Sequence, residues 1–309
     1  MCLEFLENTG YNTQSVMNYK VEVRKMINAA IVLEGGSLRG LFTSGVLDVL
    51  VEQGIECSYV NGVSAGSMNG MNYISRQTGR TLKINTDYIH DKRYISFENM
   101  MKNRQIFNFE FLFGELSTEL VPFDFDTFYQ SPQTFEVVAT RCRTGEPEFF
   151  EKSTCSDMMA AVEASSSIPV MSRMVSVDRK KYLDGGISMP IAYQRAIDLG
   201  YEKIILILTR HNGFQKPPLS PLMRRVYARY FAPLPRLSQA LHEVPERYNR
   251  MQLEIDRLKQ AGQIYVIRPE VPVKVSRLEK DIRKLTDLYG EGRRVALNHL
   301  PALEKYLEI

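Results

Sequence analysis

The chain has 309 residues, of which 44% are hydrophobic and 24% charged, and its formal net charge is +3. Such proportions exclude a predominantly disordered chain, and the charge is too small to indicate a nucleic-acid partner. No run of 18 apolar residues occurs, which excludes a bilayer-spanning helix on the usual length criterion.

Residues 1–28 are polar and mixed and are read as an N-terminal extension with no assigned function. Glu4 and Glu7 stand where a signal peptide needs an uncharged apolar core. Cys2, Cys57, Cys142 and Cys155 are far apart, with no Cys-x-x-Cys pair, so free thiols are expected rather than disulfides or a zinc site. A cytoplasmic protein follows as the expectation.

From residue 29 the pattern becomes regular. AAIVLEGG (29–36) predicts a fully buried strand, and Phe42, Val46, Val49 and Leu50 give a helix closed by Gly54. CSYVNGVS (57–64) predicts a second strand and AGSMNGMNYISRQ a second helix. This βαβ spacing calls for a parallel sheet. Phe107, Phe109, Phe111 and Phe113 alternate with period two, which reads as the buried face of a strand or, alternatively, as the lining of an acyl pocket.

QTFEVVATRC (133–142) and EFFEK (148–152) predict a hairpin across Thr144–Pro147. A small-residue helix, SDMMAAVEASSS, stops before Pro169. Two short strands, MVSVD and KYLDGG, follow around Asp178-Arg179-Lys180. Then come a helix ended by Gly200 and a buried strand, KIILILTR (203–210). Beyond Lys216-Pro217-Pro218 lie a long basic helical stretch to residue 261, one more strand and a charged terminal helix. The domain reading is a core over 29–210 and a helical elaboration over 211–309 with one further strand, serving as a cap or a membrane-facing surface.

Gly62-Val63-Ser64-Ala65-Gly66 fits G-x-S-x-G. Composition alone yields about 0.1 such matches in a chain this long. The setting is the stronger signal, because the motif falls where a predicted strand gives way to a helix, as a nucleophile elbow requires. A tight turn whose serine caps the helix is the competing explanation. One βα unit earlier, Glu34-Gly35-Gly36-Ser37-Leu38-Arg39-Gly40 follows the first strand, so both turns leave the same edge of a parallel sheet. Successive amides of such a loop can cradle an oxyanion, and Arg39 adds a cation able to hold a phosphate or the loop itself. Leu41 and Phe42 stand where a P-loop needs Lys and Ser/Thr, and Ser37 where a dinucleotide fingerprint needs Gly.

A proton acceptor is needed next. None of His90, His211, His242 and His299 sits in a distinctive setting. Asp184-Gly185-Gly186 ends a predicted strand with two glycines, and Asp184 would serve as base if desolvated and bonded directly to Ser64.

Together these motifs resemble the patatin-like phospholipase family. EGGSLRG (34–40), GVSAG (62–66), Asp184-Gly185-Gly186 and the segment Ala164-Ser165-Ser166-Ser167-Ile168-Pro169 are similar to that family's motifs, in order, over residues 29–210. The resemblance implies a mostly parallel α/β sheet with helices on both faces. It implies a Ser64–Asp184 dyad with no cofactor and no metal, and hydrolysis of phospholipids or related acyl esters through an acyl-enzyme. One departure is Ser37, where the family has a third glycine: its N–H is retained, but positive φ becomes costly.

Two other readings remain. An α/β-hydrolase triad of Ser64, Asp184 and His211 keeps that fold's chain order, and a catalytically silent binding module would keep the fold without the chemistry. Arg224, Arg225, Arg229, Arg236, Arg247 and Arg250 in the basic stretch read as a surface resting on the inner face of an anionic membrane, or as a solvated helix face. Nothing in the sequence fixes the oligomeric state.

Overall fold

The computed structural model describes residues 26–309. The predicted extension lies outside the described residues except for its last three positions, and two of those, Ile27 and Asn28, already belong to the first strand, β1 (Ile27–Leu33). It is followed by helix α1 (Gly40–Glu52), strand β2 (Cys57–Val63) and helix α2 (Ala65–Ile74). β1 pairs in parallel with β2, as the βαβ spacing requires. Its residues alternate between two apolar layers. Ala29, Ile31 and Leu33 join the core beneath α1 and α2, whereas Ala30 and Val32 join the core on the opposite face. A strand buried on both faces needs a continuous apolar run, and Ala29-Ala30-Ile31-Val32-Leu33 supplies one after the exposed Asn28.

The middle of the chain is irregular. Short helices α3 (Arg80–Asp87), α4 (Phe97–Asn103), α5 (Phe109–Phe113) and α6 (Phe125–Gln130) occupy it. The four phenylalanines are not one strand: Phe107 forms an isolated bridge to Ile95, and Phe109–Phe113 is a helical turn. Its cap is Asn108, whose side chain accepts from the Phe111 amide, and that local bond outcompetes the extended form.

Strands β3 (Thr134–Arg141) and β4 (Pro147–Glu151) form the expected antiparallel hairpin. After α7 (Met158–Ser166), strands β5 (Val175–Val177) and β6 (Lys180–Asp184) form a second hairpin. Helix α8 (Tyr193–Asp198) and strand β7 (Ile204–Ile207) complete the region. The order is β5-β6-β3-β2-β1-β7-β8, with β4 beside β3 and with β8 (Tyr265–Ile267) on the far side. Pairings among β2, β1, β7 and β8 are parallel, and β2 also runs parallel to β3. Pairings of β3 with β4 and β6, and of β5 with β6, are antiparallel. The sheet is therefore mixed, mostly parallel through its centre, with helices on both faces.

The basic stretch is not one helix. Pro233 and Pro235 divide it, because neither can donate to a helical ladder, and Pro235 opens the second segment at its first turn. The two helices are α9 (Pro221–Tyr230) and α10 (Pro235–Gln260). Helix α11 (Ile282–Leu307) crosses α1, and its Leu285, Leu288, Val295 and Leu303 enter the same core as β1. No helix among the described residues is long and apolar enough to cross a membrane.

Candidate active site

The ends of two strands meet on one edge of β3. β2 runs parallel to β3 and places Val63 opposite Val138. β6 runs antiparallel along the same edge and places Asp184 opposite Ala139. Because Val138 and Ala139 are consecutive, the residue after Val63 arrives beside Asp184. Gly185 is needed at this seam, since a Cβ there would collide with the Val138 carbonyl.

Ser64 occupies the turn between β2 and α2 with φ 55° and ψ −125°. Holding a non-glycine residue there costs about 1–3 kcal/mol, so neighbouring bonds must fix it. Its amide donates to Ser165 Oγ at 2.8 Å, and that hydroxyl donates to the Val138 carbonyl at 2.5 Å. Ser67 Oγ donates to the Ser64 carbonyl at 2.6 Å. Gly62 and Gly66 allow the close approach of the elbow: a Cβ on Gly66 would lie 2.5 Å from the Leu33 carbonyl, and one on Gly62 equally near the Ser67 backbone.

Asp184 is half-buried and fixed at both backbone ends, its amide donating to the Ser167 carbonyl and its carbonyl accepting from Thr140 Oγ1. Its Oδ1 accepts from the Gly186 amide at 2.7 Å, and the Ser64 hydroxyl lies against the carboxylate. Burial raises its pKa above the ordinary aspartate value, opposed by the Gly186 amide, the Ser64 hydroxyl, Arg277 and Lys216. Asp184 is thus a stronger base than a solvated carboxylate and remains hydrogen-bonded.

The glycine-rich loop leans on this pair. A Cβ on Gly35 would sit 3.1 Å from Ser64 Cβ, and one on Gly40 3.0 Å from Ala65 Cβ. Gly36 is extended, with φ −172°, and the left-handed residue of the loop is Ser37 at φ 50°. Among the described residues no acceptor faces the amides of Gly35, Gly36 and Ser37. Glu34, buried just before them, anchors the loop: one carboxylate oxygen accepts from the Thr209 amide at 2.6 Å and the other from Tyr248 of α10 at 2.8 Å. Arg39 is buried, and burial with Arg210 and Arg277 nearby lowers its pKa to about 10.

Two cavities open at Ser64. The narrower, about 90 Å³, is mainly apolar and is lined by Met68, Leu112, Phe107, Phe109 and Phe113 among others. The wider, about 430 Å³, contains Asp184, Arg39 and the loop, and is closed by α9 and α10 through Met223, Tyr227 and Tyr248. His211 lines neither cavity and instead meets Phe214 ring to edge; the structure does not bring it to the pair. Sequence reasoning missed Ser165, the anchoring role of Glu34, and Arg210, Lys216 and Arg277 in the wider cavity. Ser165 carried a signal as part of Ser165-Ser166-Ser167 before Ile168-Pro169, and Glu34 as the acidic residue that opens EGGSLRG. Among the described residues no cluster of potential metal ligands occurs.

The fold and these motifs define a class. The model of the patatin-like phospholipase family matches residues 31–197, more than half of the chain, and the chain belongs to that family. At the level the family defines, it is a lipid acyl hydrolase. A second match, to a domain of unknown function (DUF6363), covers residues 234–308 and hence α10, β8 and α11. The chain is 28% identical over 285 residues to the uncharacterized protein YjjU of Escherichia coli (strain K12), covering 90% of this chain and 78% of that protein. The crystal structure of VipD from Legionella pneumophila aligns with 90% of this chain and 67% of its own, at 12% identity and a TM-score of 0.42.

Proposed function

We propose that this protein hydrolyses acyl esters of lipids, in the manner of a phospholipase A or lysophospholipase, with Ser64 as nucleophile and Asp184 as base. The head-to-head meeting of β2 and β6 on β3 carries this reading. Asp184 accepts the Ser64 proton as Oγ attacks the ester carbonyl. The amides of Gly35, Gly36 and Ser37 donate to the oxyanion, each worth about 3 kcal/mol in such a site. Asp184 returns the proton to the leaving alcohol; a water, deprotonated by Asp184, then releases the fatty acid from the acyl-enzyme. The narrow apolar cavity suits the acyl chain.

A fluorophosphonate probe tests the nucleophile directly. Labelling of the wild type but not of Ser64→Ala, with ester turnover lost in Ser64→Ala and Asp184→Ala, is the expected result. Equal labelling of both would remove the proposal, and no labelling of either would favour the silent module. His211→Ala separates dyad from triad, since the dyad predicts little change.

The same site would be served by contact with an anionic membrane surface through α9. None of its side chains is fully buried: Met223, Val226 and Tyr227 face inward, while Leu222 is 70% and Tyr230 55% exposed beside Arg224, Arg225 and Arg229. Flotation with anionic but not neutral liposomes is expected; no binding to either sinks this contact.

A further inference from the structure

The wider cavity is lined by four cations, Arg39, Arg210, Lys216 and Arg277, against two carboxylates, Glu34 and Asp184. Among the described residues none of the four is ion-paired. Glu34 spends both oxygens on Thr209 and Tyr248, and Asp184 spends one on Gly186. Arg39 Nε is buried with no partner among these residues.

Aromatic rings lie against two of the cations. Lys216 Nζ lies 4.2 Å from the centre of the Tyr248 ring, and the Arg210 guanidinium carbon the same distance from that of Phe214. The Lys216 backbone is clamped to α10, its amide donating to Asn249 Oδ1 and its carbonyl accepting from Asn249 Nδ2. Burial, with Arg277 and Arg39 close by, lowers the Lys216 pKa to about 8. Like charges gathered in a recess repel one another unless an anion joins them.

We propose that this cavity binds the phosphate of an acyl ester whose leaving alcohol carries a phosphomonoester, so that the preferred substrate is an acylated glycerol phosphate. The proposal rests on the assignment of Ser64 as nucleophile. The excess of two positive charges matches a phosphomonoester dianion. A choline or ethanolamine headgroup brings its own cation into this field and is disfavoured. A free fatty carboxylate offers one charge only. Three of the four cations, Arg210, Lys216 and Arg277, lie beyond residue 197, outside the family match, so the headgroup preference is written largely by the C-terminal part of the chain.

The test compares kcat/KM for 1-acyl-glycerol 3-phosphate, monoacylglycerol and lysophosphatidylcholine of one acyl chain, in the wild type, Lys216→Gln and Arg277→Gln. Arg277 is exposed, so its substitution carries little folding risk. A ratio between substrates cancels any change in the common chemistry. The wild type should prefer the phosphomonoester by at least about tenfold over both others, and each substitution should reduce that preference severalfold. Equal rates on the three lipids, or a preference that survives both substitutions, overturn the proposal.

Calorimetry on Ser64→Ala with glycerol 3-phosphate and with inorganic phosphate supplies a readout that needs no turnover. Binding of glycerol 3-phosphate that is lost in Ser64→Ala carrying Lys216→Gln supports the site even if no ester is cleaved, in which case the dyad alone has failed. No binding of glycerol 3-phosphate, or inorganic phosphate bound as tightly, overturns it.

Discussion

Ser165 holds Ser64 by its backbone: the Ser64 amide donates to a hydroxyl that itself donates to the Val138 carbonyl, the strand position facing Val63. A strained elbow is thereby tied to the strand edge that also carries Asp184. Ser165→Ala leaves a buried N–H unpaired, which costs about 1–3 kcal/mol, and frees the elbow to shift. Displacements near 1 Å lower turnover on the order of 100-fold. We expect kcat to fall by about 10- to 100-fold with KM little changed. Ser166 is the control, since its buried hydroxyl has no partner among the described residues. Ser166→Ala should leave the denaturation midpoint unchanged or raised, and equal stability losses in the two variants would remove the special role of Ser165.

Asp184 titrates above the ordinary aspartate value because of its surroundings, which has opposite consequences for activity and stability. Turnover needs the ionised base, so the acid limb of kcat/KM should lie above pH 4, the usual aspartate region. For stability, the folded state binds this proton more tightly than the unfolded chain. Stability therefore falls as pH rises from the unfolded value through the folded one. Asp184→Asn keeps an oxygen for the Gly186 amide and removes the buried charge. At pH 7 it should abolish turnover yet raise the melting temperature, and the gain should vanish below the ordinary aspartate pKa. A variant less stable than the wild type at pH 7 contradicts this account.

Legibility followed locality. β1 from Ala29 and β7 are apolar runs whose burial on two faces can be read directly, and the glycines of residues 62–66 and 184–186 mark sharp turns in any context. Seeing that the two turns meet needs the register of β6 on β3, which no local pattern encodes. The phenylalanine alternation misled because Phe109 and Phe113 are also four apart, a spacing that stacks them on one face of a helical turn, and the Asn108 cap was the overlooked signal. The break between α9 and α10 was signalled by Pro233 and Pro235. Lys216 and Arg277 reach the cavity from loops where neither periodicity nor motif constrains a side chain.

The docking of α11 on α1 depends on two glycines, neither apparent in the sequence. A Cβ on Gly45 would strike the Tyr289 carbonyl, and one on Gly292 the Phe42 carbonyl. The helices touch backbone to backbone there, flanked by the bond from Tyr289 to Asp48 at 2.7 Å and by the Arg293–Glu52 pair. Gly292→Ala improves helix propensity by about 1 kcal/mol but forces the helices apart, and overpacking costs about 1–3 kcal/mol. We expect a net loss of up to about 2 kcal/mol by chemical denaturation. Gly290→Ala, where a Cβ meets nothing within 4 Å, should stabilise instead. The same sign for both would show that the close crossing is not what the glycine serves.

Met68 offers a test of where the acyl chain lies. It is half-buried one turn after Ser64, with its amide on the Ser64 carbonyl, and it lines the narrow cavity. Each methylene buried in that slot is worth about 0.8 kcal/mol, or about fourfold in kcat/KM. The wild type should therefore show a steep rise in kcat/KM along a series of p-nitrophenyl esters of increasing chain length. Met68→Trp fills the slot beside the nucleophile. It should leave acetyl ester turnover within a few-fold while flattening the rise, so that the ratio of octanoyl to acetyl rates drops by at least about tenfold. An unchanged chain-length profile would place the acyl group in the wider, cationic cavity and reverse the orientation assigned to the substrate.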